Sequence, residues 1–206
     1  MRKFLIAAAA TLAATTGANA ALLDFVAEAA GNERGVADGT TINFGGIDVT
    51  FSATNGFAYF DDVSGGPGGL GVCTTLSAAA TCSPSSDDSI SIDPDGAEAV
   101  ELSFAEAVTL SDHTFNDFAH NDITNRSDLT LLVNINGAGF NSITFADAAA
   151  LVIAGVTTIE FAVDTAATGI GFYVSSITAV PLPATAPLLI SGLAGLGFAA
   201  RRKRRA

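Results

Sequence analysis

Ile47-Asp48-Val49-Thr50-Phe51-Ser52-Ala53-Thr54 alternates apolar and polar residues over eight positions. Successive side chains of a strand point to opposite faces, so this stretch presents Ile47, Val49, Phe51 and Ala53 to one side and Asp48, Thr50, Ser52 and Thr54 to the other. A single apolar face is the mark of an antiparallel strand with one side on a core and one in water. The same parity recurs on both sides of it. Val100, Leu102 and Phe104 alternate with Glu101 and Ser103, and Leu129, Leu131, Val133 and Ile135 share one face. Ile143 and Phe145 follow, then Ile159, Phe161 and Val163, then Ile170, Phe172 and Val174, with a last strand expected over 169–177.

Turn chemistry separates these runs. Asp93-Pro94-Asp95-Gly96 supplies a preset proline and a free glycine between Ile90–Ile92 and Val100–Phe104. Asn136-Gly137-Ala138-Gly139 reads as a hairpin loop, and Asp164–Gly169 as a connection before the last strand. Helical signal is confined to single turns at Asp24–Ala30 and Asp147–Ala154. Many short strands at near-regular spacing predict a mainly β body over 21–179, an antiparallel β-sandwich of jelly-roll type.

The charge is unevenly placed. The 206 residues carry 9 basic and 21 acidic side chains. Arg2, Lys3 and the five of Arg201–Arg205 sit at the ends, leaving Arg34 and Arg126 against all 21 acids, a formal −19 for the interior. Such a field repels phosphate backbones and excludes nucleic acid as a partner. No catalytic motif emerges: there is no G-x-S-x-G and no H-E-x-x-H, and the glycine-rich run 65–71 lacks the lysine of a phosphate loop. The two histidines, His113 and His120, have Asp112, Asp117 and Asp122 as sequence neighbours and read as surface residues of an acidic loop. With no Trp and only Tyr59 and Tyr173, the chain is poor in the platforms of open sugar clefts, and its 14 Phe suit a core.

The ends are addresses. Met1-Arg2-Lys3, an alanine-rich apolar run and Ala18-Asn19-Ala20 make a signal peptide over 1–20, cut between Ala20 and Ala21 by signal peptidase after delivery to the secretion machinery. At the other end, 184–200 holds no charge. As a helix its 17 residues would span roughly 25 Å, near the lower limit for a bilayer. The basic tail 201–205 would stay on the cytoplasmic side. Cys73 and Cys82 are the only cysteines, and an even count in an exported chain argues for one disulfide rather than free thiols or zinc; C-x8-C and H-x6-H are not zinc-finger spacings.

Val180-Pro181-Leu182-Pro183-Ala184, followed by the glycine-rich span and the arginine-rich end, resembles the VPLPA-type variant of the PEP-CTERM sorting signal, here over 180–206. In that family a membrane-embedded exosortase recognises and removes the tail, and the proteins are exported by Gram-negative bacteria that make extracellular polysaccharide. The resemblance implies a precursor transiently anchored in the inner membrane, then a surface or matrix protein. Gly69–Cys73, Cys82 and the paired aspartates Asp87-Asp88 also resemble the exported bodies of such proteins, whose function is mostly undefined.

The expected activity is therefore non-enzymatic. Calcium is the candidate cofactor, since it takes oxygen ligands from irregular loops. Asp87 and Asp88 before a strand, Glu101 on the polar face of another, and Asp61 with Asp62 after Phe57–Phe60 are the candidate ligands. The alternatives are a carbohydrate-binding module acting on the producer's exopolysaccharide and, further off, a polysaccharide hydrolase built on two carboxylates.

Overall fold

The computed structural model describes residues 19–62, 66–93, 96–165 and 170–182. Residues 1–18 of the expected signal peptide over 1–20, Pro183 and Ala184, the apolar span 184–200 and the basic tail 201–205 lie outside the described residues. Among the described residues no helix is long and apolar enough to cross a membrane.

The chain opens with β1 (Ala21–Asp24), α1 (Phe25–Ala29), β2 (Arg34–Val36) and β3 (Thr40–Phe44). Then come β4 (Ile47–Thr54), β5 (Phe57–Asp61), β6 (Gly69–Cys73) and a two-residue hairpin of β7 (Ile92–Asp93) and β8 (Gly96–Ala97). The long strand β9 (Ala99–Asp117) precedes β10 (Thr130–Ile135) and β11 (Phe140–Thr144). The described part ends with α2 (Phe145–Ala150), β12 (Ile153–Val163) and β13 (Phe172–Pro181). All strand pairings are antiparallel.

The alternation in Ile47–Thr54 does what its period dictates. Ile47, Val49 and Phe51 are buried and Asp48 is exposed. Turns close where their residues allow: Asn136, Gly137 and Gly139 all take positive φ in the β10–β11 hairpin, the region where asparagine and glycine cost least. Asp24 caps α1 by accepting from the Ala27 amide at 2.9 Å. Thr144 caps α2, accepting from the Asp147 amide at 3.0 Å, so the second helix begins at Phe145, two residues before the expected Asp147, and ends at Ala150. Phe145 is thereby a buried helical residue rather than the end of a strand.

The mainly β, antiparallel expectation holds. Among the described residues eleven of the thirteen strands form one branched, open sheet, and β9 is the reason; β7 and β8 pair only with each other. Residues 99–104 of β9 pair with β4, while Ala99–Ser103 pair with β12 on the opposite edge. After an irregularity spanning Ala105–Ala107, residues Val108–Asp117 pair with β13. One strand thus serves both halves, with β4 and β13 end to end along the same edge. The sheet folds over one large core, with a small second cluster of Tyr59, Cys73, Cys82 and Leu76. Phe25, Phe44, Phe51 and Phe60 meet at one end, with Phe51 and Phe60 edge-on at 5.5 Å between centroids. Phe115, Phe145, Phe161 and Phe172 meet at the other, Phe115 and Phe145 at 5.2 Å. Each such ring pair adds about 0.5–1.5 kcal/mol beyond its buried area.

Two further expectations move. The sequence breaks the β9 strand after Phe104; in the structure it runs on for thirteen residues, to Asp117. The last strand was expected to end at Ile177 and the body at 179. β13 instead continues through Val180 to Pro181, so the strand crosses that boundary.

Candidate functional site

The chemistry-bearing side chains collect around the loop that joins β6 to β7. Cys73 ends β6 and Cys82 lies in the loop; they form a disulfide with Cα atoms 5.7 Å apart. The strap is held at several further points. The Cys82 amide donates to the Tyr59 hydroxyl at 3.0 Å, and Tyr59 in turn donates to Glu33. Buried Glu98 accepts from the Ser91 amide at 2.9 Å and the Ser91 hydroxyl at 3.1 Å. The Thr74 amide donates to Asp87 at 3.3 Å.

Where the strap crosses β6, glycine is required. A Cβ on Gly71 would stand 1.9 Å from the Asp88 carbonyl oxygen, and one on Gly68 would stand 2.6 Å from the Asp61 carboxylate. The Gly-Leu-Gly-Val-Cys run therefore lets the loop backbone lie directly on the strand. Beneath it, Tyr173 on β13 donates to Asp88 at 2.5 Å. His120 Nε2 lies 2.8 Å from Asp61 Oδ2, with Asp61 fully buried at the end of β5. The His120 and Tyr173 rings meet edge-on at 5.5 Å. Burial pushes the Asp88 carboxyl up, opposed by the Tyr173 hydrogen bond, and burial together with Asp88 pushes the Tyr173 phenol up strongly. Tyr59 is raised too, by burial and then by Glu33.

The five candidate calcium ligands thus do not converge. Asp61 and Asp88 come together, Asp88 accepting from the Tyr173 hydroxyl and Asp61 lying at ion-pair distance from His120. Asp62 accepts from the Gly31 amide and Asp87 from Thr74. Glu101 lies elsewhere, paired across the sheet with Ser52 on β4 and Glu160 on β12. It accepts from Ser103 at 3.1 Å and helps line a shallow pocket of about 110 Å³ with Ser52, Thr54 and Glu160. Cys73, Cys82 and Asp87 lie close enough to suggest a metal cluster, but both sulfurs are committed to the disulfide.

The histidines are not surface residues. His113 is 1% exposed, packs edge-on to Phe161 and finds no hydrogen-bond partner for either nitrogen. Desolvation lowers its pKa to about 4. His120 pairs with Asp61 rather than with Asp117 or Asp122. Sequence reasoning also missed the Glu98 and Glu33–Tyr59 contacts. Their partners are distant in the chain, and no local spacing signals them. The cluster as a whole is a polar latch on the strap: an Asp–His pair and an Asp–Tyr pair whose donors and acceptors face each other.

A larger groove, about 330 Å³, opens where β4 and β13 meet on β9, lined by Ile47, Asp48, Phe104, Glu106, Val108 and Pro181 among others. Pro181 pairs with Val108, and the Leu182 amide donates to the Ala107 carbonyl at 3.1 Å. Val180, Pro181 and Leu182 of the expected signal are therefore placed in the sheet, whereas Pro183 and Ala184 lie outside the described residues. Ala21, the expected new N-terminus, is the first residue of β1.

No curated protein and no solved structure matches the chain. The PEP-CTERM protein-sorting motif matches residues 179–205. That match begins at Ala179 on β13 and runs through the uncharged span and the basic tail, so the chain carries a PEP-CTERM protein-sorting motif over 179–205.

Proposed function

We propose that this is a non-enzymatic surface or extracellular-matrix protein of a Gram-negative bacterium, whose tail is a VPLPA-type signal read and removed by an exosortase. The match of the sorting motif to residues 179–205 carries this reading. The signal supplies export through the membrane and a processing partner. In the proposal, the mature body is the branched sheet, read as a jelly-roll-like sandwich whose strap is closed by Cys73–Cys82. Its −19 interior keeps it soluble in a polyanionic layer. Calcium enters as a counterion of the acidic surface, because Asp62, Asp87, Asp88 and Glu101 accept protein hydrogen bonds and Asp61 lies at ion-pair distance from His120.

The test is genetic and direct. Pro181→Ala with Pro183→Ala should leave the precursor in the membrane fraction while the body stays folded. Release of the double variant at the wild-type rate would remove the reading.

One observation favours a second reading, a carbohydrate-binding module. Ser52, Glu101, Glu160 and Asn134 form a polar row across β4, β9, β12 and β10, hydroxyl, amide and carboxylate groups of the kind that bind sugar hydroxyls. A glycan array with the producer's exopolysaccharide separates the two: saturable binding lost in Glu101→Ala supports the module.

A further inference from the structure

Ala179–Leu182 belong to two things at once. They begin the matched sorting motif, and they finish β13 at Pro181, with Leu182 bonded beside it. Ala179 pairs with Leu110, Val180 with Thr109 and Pro181 with Val108, and the Leu182 amide is bonded to Ala107. Ala179 is fully buried, and Pro181 forms part of the wall of the groove beside Phe104 and Val108. Proline at the very end of a strand is where its missing N–H costs the ladder least.

A peptide bond inside a sheet is a poor substrate. The attacked carbonyl must become tetrahedral with its oxygen in a donor site, and a processing enzyme takes its substrate as an extended segment with main-chain bonds of its own. Val180, Pro181 and Leu182 have given that backbone to β9. We infer that the processing cut falls on the C-terminal side of Leu182, and that the mature protein keeps Val180-Pro181 as the end of β13 with Leu182 bonded to β9 beside it. The inference rests on the sorting reading above and assigns the position within it. The step is a hydrolysis: one peptide C–N bond breaks, water supplies the hydroxyl of a new carboxyl group on the body, and the tail fragment leaves with a new amino group. The fold thus holds the first residues of the motif, Ala179–Leu182, against β9.

Two measurements test this. The first is mass spectrometry of the C-terminal peptide of the protein recovered from outside the producing cell. A last residue at Leu182, or between Leu182 and Leu188, supports the inference. A last residue at Pro181 or earlier overturns it while leaving the sorting reading intact. A chain still ending in the arginine tail overturns the sorting reading and the inference with it. The second is hydrogen exchange on the full-length precursor in detergent micelles. The Leu182 amide should exchange at least about tenfold more slowly than an unstructured amide. Exchange at the unstructured rate would show that the sheet does not hold the motif and would overturn the account wherever the cut lies.

Discussion

Ala21 and Ala179 face each other as paired residues of β1 and β13. The first is the residue expected to begin the mature chain, and the second is the first residue of the matched sorting motif. The described body therefore begins and ends on adjacent strands, and both residues are buried.

The strap should depend on its disulfide. Eight residues lie between Cys73 and Cys82, and a closed loop of that size is worth roughly 2–3 kcal/mol by the chain-entropy account. Cys73→Ser with Cys82→Ser should lower the unfolding free energy read from a urea titration by that amount, and alkylation of native protein without reductant should label neither cysteine. Labelling of both would contradict the structure.

Gly71→Ala should be among the most damaging single changes. The added methyl would meet the Asp88 carbonyl at 1.9 Å, and backbone cannot yield as a flexible side chain would. A loss of about 3 kcal/mol or more is expected from such a clash. Tyr173→Phe, which keeps the ring and strands Asp88, should cost about 1–3 kcal/mol. Thermal melts of the two variants, ranked in that order, check both.

His113 should make the protein acid-sensitive. Its folded pKa lies at about 4, below the ordinary value near 6.5. Between those values the unfolded chain takes up a proton that the folded one refuses. Stability therefore falls as pH drops from about 6.5 to about 4, by on the order of 3 kcal/mol. His113→Leu removes two unpartnered buried nitrogens and should flatten this slope without loss of stability at pH 7. An unchanged slope in urea titrations across that range would exclude His113 as the cause.

Calcium should act on this protein as salt does. With the candidate carboxylates already engaged or apart, calcium and sodium at matched ionic strength should raise the melting temperature equally, by screening the acidic surface. A saturable calcium effect lost in Asp88→Ala would instead mark a site.

What the sequence made legible depended on whether partners were near in the chain. β4 and the β10–β11 hairpin could be read directly, because parity and turn residues are local. β9 could not be read past Phe104. Ala105–Ala107 interrupts the alternation, and Asp112, at φ 51, inserts an extra residue against β13. That bulge shifts the buried parity from Val108 and Leu110 to His113 and Phe115, so a core histidine looked like part of an acidic loop. The latch was hidden for a different reason. Tyr173 and Asp88 are 85 residues apart, and aspartates that look like ligands for an ion prove to be partners of a tyrosine and a histidine. The sorting signal was legible because an enzyme reads it as linear sequence, although its first residues turn out to be part of a strand.

Removal of the tail by an exosortase, as proposed, is read from the intact mass of the chain in the producing strain with and without its exosortase. A shorter extracellular species lacking Leu188–Arg205 is expected in the wild type, and a membrane-bound species that keeps them in the deletion strain. The same extracellular species in both strains would contradict it.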